Sequence, residues 1–98
     1  MIEIPMGEKV FIICVDLQTS ADKDKLEKSF KESQYRNYQI LMERVYAIKV
    51  PHFEDSVRVR DFILGKLDYK CQVFVMKTSL DAAWNIMTSS DAWLRENI

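Results

Sequence analysis

The longest uninterrupted apolar run of the chain is Val10-Phe11-Ile12-Ile13-Cys14-Val15. Continuous apolar text, rather than alternation, marks a strand covered on at least one face and partly on the other, so residues 9–17 are predicted to form a central strand. Polar Gln18-Thr19-Ser20 follows, and Thr19-x-x-Asp22 approximates a capping box with Asp in place of Glu. A first helix is therefore expected from there to about residue 33. Its inward stripe is thin, with Ala21, Leu26 and Phe30, and its other positions are charges of mixed sign that suit a solvated face.

Residues 35–50 are rich in Tyr, Ile and Val, contain neither Gly nor Pro, and stop at Pro51. The stretch is too long for one ordinary strand, which predicts two strands reversing near Met42-Glu43. After the loop at 52–56, with Asp55 or Ser56 as cap, a second helix presents Val59, Phe62, Ile63 and Leu67 at helical spacing. Gly65 within it costs about 1 kcal/mol relative to Ala, a cost that a close approach of the sheet backbone would explain. Residues 70–78 form the fourth strand. Cys71, Val73 and Val75 lie on one side and Phe74 and Met76 on the other, so this strand too is expected at the centre of the sheet. Two short helical pieces complete the chain, one around Leu80, Ala83, Trp84 and Met87 and the other around Ala92, Trp93 and Leu94. Two tryptophans in so short a tail imply that it clamps onto the domain or onto a second subunit.

The predicted fold is α+β: a single ferredoxin-like βαββαβ sandwich spanning residues 1–98, with 79–98 as a helical tail. Two helices on one face leave the other face to be covered, either by the tail or by a homodimer partner.

Composition narrows the function. Ninety-eight residues allow one small domain. A formal net charge of −1 withholds the field of a non-specific nucleic-acid coat, so any polyanion would have to meet a local patch. Hydrophobic residues at 48% and charged residues at 30% are those of an ordinary globular chain. The apolar runs are far shorter than the about 20 residues of a membrane helix, and the first residues lack the basic cluster of a signal peptide. No membrane partner and a cytoplasmic location are the resulting expectations. Cys14 and Cys71 are too sparse for a disulfide framework or a zinc site and are expected to be buried, reduced thiols.

Val15-Asp16-Leu17 at the end of the first strand, with Ala82-Ala83-Trp84 and Trp93-Leu94-Arg95-Glu96-Asn97 in the tail, resembles the small SinR-like proteins. These are similar to the CRISPR-associated Cas-two family, and the resemblance extends over nearly the whole chain in element order. It implies a dimeric ferredoxin-like fold in which an aspartate ends the first strand and the aspartates of two subunits approach the dimer axis. It further implies either metal-dependent phosphodiesterase activity or a structural DNA-binding role. Asp16 is the one residue carried over. The chain departs from the Cas-two pattern where that family continues in another strand and this one turns to helical text, and no helix-turn-helix is visible.

Asp16 is accordingly the candidate catalytic and metal-binding residue, with Mg²⁺ or Mn²⁺ as the ion; a pair from two subunits would clamp a phosphodiester and its attacking water. The competing role is structural, as a cap of the turn into the first helix or an acceptor of backbone hydrogen bonds. Arg36, Arg44 and Lys49, interleaved with Tyr35, Tyr38 and Tyr46, have the mixture of charge and rings that nucleic-acid stacking requires. The alternative is that these tyrosines pack inward. His52 is the only histidine and reads as an exposed loop residue. A cysteine nucleophile is discarded, because an apolar strand raises a thiol's pKa. Two functions follow: a homodimer that binds nucleic acid with metal-dependent nuclease activity, or a non-catalytic interaction or assembly module.

Overall fold

Seven apolar or amphipathic residues, Lys9–Val15, form strand β1, and their parity sorts the whole molecule. Odd-numbered Phe11, Ile13 and Val15 are buried in one core, whereas Val10 and Ile12 belong to a second cluster on the opposite face. The computed structural model describes residues 7–79 and 81–98; the N-terminal residues 1–6 and Leu80, both used in the sequence reading, lie outside it.

Helix α1, Ser20–Lys31, starts where Thr19 Oγ1 accepts the Asp22 backbone N–H at 3.1 Å. Strands β2, Tyr38–Met42, and β3, Val45–Val50, pair antiparallel. The reversal falls at Glu43-Arg44, and Arg44 occupies the left-handed region, φ 65°, where glycine is absent from the sequence. Helix α2, Ser56–Lys66, is capped by Asp55, whose carboxylate accepts the Arg58 N–H at 2.8 Å. Strand β4 is Val73–Lys77, and helix α3, Ser90–Asn97, ends the chain.

The sheet is fully antiparallel, ordered β2-β3-β1-β4. Leu26 and Phe30 of α1 and Val59 and Ile63 of α2 pack against Phe11, Ile13, Tyr46 and Ile48 on one face. On the other face the tail lays Leu94, Trp84 and Trp93 over Val10, Ala47 and Leu41. This α+β architecture of four strands and three helices contains no helix long and apolar enough to cross a membrane among the described residues.

Four expectations are corrected. β4 is an edge strand, not a central one: β1 already has β3 on its other side, and β4 pairs with β1 alone among the described residues. Residues 81–87 are not helical, because this segment runs irregularly across the sheet and is fastened by Trp84 Nε1–H donating to Asp91 at 3.0 Å. Gly65 has no neighbour within 4 Å of a would-be Cβ, so no close backbone approach requires it. Cys14 is exposed, since it lies on the part of the second face that the tail leaves bare.

Candidate functional site

Asp16 leaves β1 with its backbone N–H donated to the Gln72 carbonyl at 2.8 Å, which sets the carboxylate at the end of the sheet beside the hairpin turn. Arg44 Nη1 stands 3.6 Å from Oδ1, and Gln18 Nε2 donates to Oδ2 at 3.1 Å. Both members of the ion pair are about half exposed, so the attraction is worth about 0–1 kcal/mol. The helix cap is Thr19, which takes the role offered to Asp16 at the start of α1.

The oxygen cage of Mg²⁺ or Mn²⁺ needs several hard ligands. No group of three or more His, Cys, Asp or Glu side chains is gathered for a metal among the described residues. The Asp16 carboxylate is already answered by a guanidinium and an amide, so the donor set of a single chain does not fit such an ion.

The tyrosines divide from the basic residues. Tyr35 and Tyr46 are only 2% and 1% exposed. Tyr46 lies edge-on to Phe30 with ring centres 5.8 Å apart, and Tyr35 meets Phe62 edge-on at 4.8 Å. Their hydroxyls donate inward, Tyr35 to Glu54 at 3.4 Å and Tyr46 to Glu27 at 3.1 Å. Burial, and then the negative charge of Glu54, pushes the Tyr35 phenol up to about 12. Burial and Glu27 raise Tyr46 as well. Tyr38 is half-buried against Phe30, with ring centres 5.4 Å apart. Tyr35 and Tyr46 are thus core residues and not stacking platforms, a correction with a simple cause. Tyr46, Ile48 and Val50 share the parity that faces the helices, a period-2 signal readable in the sequence once the burial direction is known.

The cations do not gather either. Arg44 sits at the turn end of the hairpin, exposed beside Asp16. Lys49 lies at the other end, its N–H on the Asn37 carbonyl at 2.9 Å and its ammonium 3.9 Å from Glu8. Exposed Arg36 is next to Asn37, on that far end. His52 is exposed in the loop before α2, and burial raises the Cys71 thiol.

What the sequence reading missed is a bare apolar strip. Cys14 is opposite Phe74 and Ile12 opposite Met76, so these four share the second face of the sheet. The tail covers the other half of that face and leaves Phe74 61% and Met76 49% exposed. An open groove of about 470 Å³ runs between Phe74 and the ion pair, bounded by Cys14, Asp16, Arg44, Val45, Gln72 and Phe74. The signal was present in sequence as a strand apolar on both sides. Its position at an edge was not.

No protein-family model, no curated protein and no solved structure matches this chain.

Proposed function

We propose that this chain is a non-catalytic interaction module of ferredoxin-like topology, which assembles through the bare strip on β1 and β4. The succession strand, helix, strand, strand, helix, strand, together with the order β4-β1-β3-β2, supports the topology. The observation that carries the function is the exposure of Phe74 and Met76 side by side on an edge strand with no second neighbour among the described residues. Contiguous apolar side chains at an unpaired edge are a feature that soluble chains normally suppress, and their retention marks a contact surface. Nuclease activity draws no such support, because Asp16 is paired with Arg44 and belongs to no group of three or more metal-ligating side chains among the described residues.

A photo-crosslinking residue at position 74, with one at exposed Arg60 on α2 as control, tests the proposal in cells. Discrete protein adducts at 74 and none at 60 are expected; equal labelling at both, or none at 74, removes the contact surface. In parallel, wild type and Asp16→Ala are incubated with single- and double-stranded nucleic acid and Mg²⁺ or Mn²⁺. Cleavage that disappears in Asp16→Ala would restore the enzyme and overturn the non-catalytic assignment.

A further inference from the structure

Resting on the assembly role just proposed, we infer that the partner at this surface is a second copy of the same chain, joined β4 to β4 in antiparallel fashion about a two-fold axis at Val75. The two sheets then run on as one of eight strands.

The backbone parity comes first. Thr78 N–H donates to the Val10 carbonyl at 2.9 Å and Asp16 N–H to the Gln72 carbonyl at 2.8 Å. Even-numbered residues of this strand therefore spend their hydrogen bonds on β1. Val73, Val75 and Lys77 turn theirs outward, where no described residue meets them. An axis at Val75 sets Val75 against its own copy and Val73 against Lys77, so every outward group faces an outward group and about six N–H···O bonds can form. Moving the axis by one residue to either side leaves part of Val73–Lys77 without a strand partner.

Side chains agree with this register. Phe74 comes opposite Met76 of the other copy, in a non-hydrogen-bonded pair with Cα atoms about 4.5 Å apart. The two most exposed apolar groups of the strip are thereby covered by each other, ring against thioether. Charge offers no obstacle: Lys77 is the only charge in the strand, and the two copies of it are offset by four residues, about 13 Å along the strand and beyond the screening length.

The other edge of the sheet supplies the contrast. Along β2, Lys49 N–H meets the Asn37 carbonyl, so Ile40 turns its backbone outward, and the Ile40 carbonyl accepts the Ser90 hydroxyl. Gln39 Nε2 adds a bond to Ser90 Oγ at 2.9 Å. The chain's own tail thus engages this edge at Ile40. β4 carries no proline, no acid and no bulge to perform the same service.

A five-residue seam lies at the small end of specific interfaces, which predicts a dimer dissociating in the range of about 1–100 µM. It also separates the two Asp16 carboxylates. Gln72, which holds Asp16, is offset by six residues from its copy, so the carboxylates stand more than about 20 Å apart and share no ion.

The test reads the register directly. Phe74→Cys and Met76→Cys are made separately, each with Cys14→Ser and Cys71→Ser, and held in glutathione buffer alone and as an equimolar mixture. The mixture is expected to give a disulfide-linked dimer. Each alone should not, because like positions have Cα atoms about 8 Å apart, outside disulfide reach. Disulfides formed equally well by one variant alone, or none in the mixture, overturn the register. Light scattering of wild type from about 1 µM to about 500 µM should show monomer passing to dimer. Val75→Pro, which removes the central outward N–H, should remain monomeric; Phe74→Lys, which leaves the core untouched, should weaken association at least tenfold and serves if Val75→Pro does not fold. Unchanged association in Phe74→Lys overturns the seam. A strict monomer that still gives adducts of another mass at position 74 overturns self-pairing and leaves the assembly role standing. A strict monomer with no adduct removes both.

Discussion

Ser90→Ala tests how the tail is held. The Ser90 side chain is 1% exposed. Its hydroxyl donates to the Ile40 carbonyl and accepts from Gln39 Nε2, and it is the polar link between α3 and the β2 edge. Each bond is worth about 0.5–1.5 kcal/mol net, and a buried group left without a partner costs more. Two features moderate the loss. Ile40 is partly exposed, so its carbonyl recovers water, and Ala at a helical position gains about 0.5 kcal/mol over Ser. The net cost is about 1 kcal/mol, a drop in Tm of about 4–8 °C for a domain of this size. Both tryptophans, Trp84 and Trp93, lie in the tail, so their fluorescence follows it while far-ultraviolet circular dichroism follows the whole fold. In Ser90→Ala the fluorescence transition is expected to precede the dichroism transition, as a locally weakened unit releases first. Coincident transitions with a Tm within about 2 °C of wild type would show that water replaces the hydroxyl freely and would refute the reasoning.

Other substitutions follow from the same geometry. Gly65→Ala should stabilise by about 0.5–1 kcal/mol, because the site is open and helical, and chemical denaturation with a lowered midpoint would contradict it. Arg44→Gly should stabilise by about 0.5–1 kcal/mol: relief of the left-handed conformation is worth about 1–2 kcal/mol, and the half-exposed pair with Asp16 at most about 1; a destabilised variant would mean that the ion pair outweighs the turn. The Asp91 carboxyl is held below its ordinary value by hydrogen bonds from Arg95 and then from Trp84 Nε1. Its contribution is therefore present above the ordinary carboxylate range and lost as pH falls through its lowered folded value. Tryptophan emission should shift on acidification below about pH 4, and Asp91→Asn should flatten that shift. Tyr35, raised to about 12, resists ionisation in the folded chain, so stability should fall as pH climbs from about 10 towards 12, less steeply in Tyr35→Phe.

Local order was legible where short-range chemistry decides it. Thr19 and Asp55 cap the helices as their residue types and positions suggest, and Leu26, Phe30, Val59 and Ile63 are the buried anchors. The reversal falls one residue past the predicted Met42-Glu43, at a left-handed Arg44 that no glycine announced. Tyr35 and Tyr46 were misjudged because interleaved rings and cations look alike whether the rings point inward or outward. Parity supplies the alternation but not its sign. Residues 81–87 had apolar spacing compatible with a helix, and contact with the sheet face overrode it.

By itself, the sequence determined the α+β class, the strands and the two capped helices, because periodicity, caps and breakers act within a few residues. Only the tertiary structure decided that β1 holds the centre, that β4 is left at the edge with a central strand's composition, and that the tail covers one half of the second face and engages the β2 edge at Ile40. Those outcomes depend on which distant segments compete for the same hydrogen-bonding side and the same apolar surface, a competition settled by long-range pairing that no local pattern records.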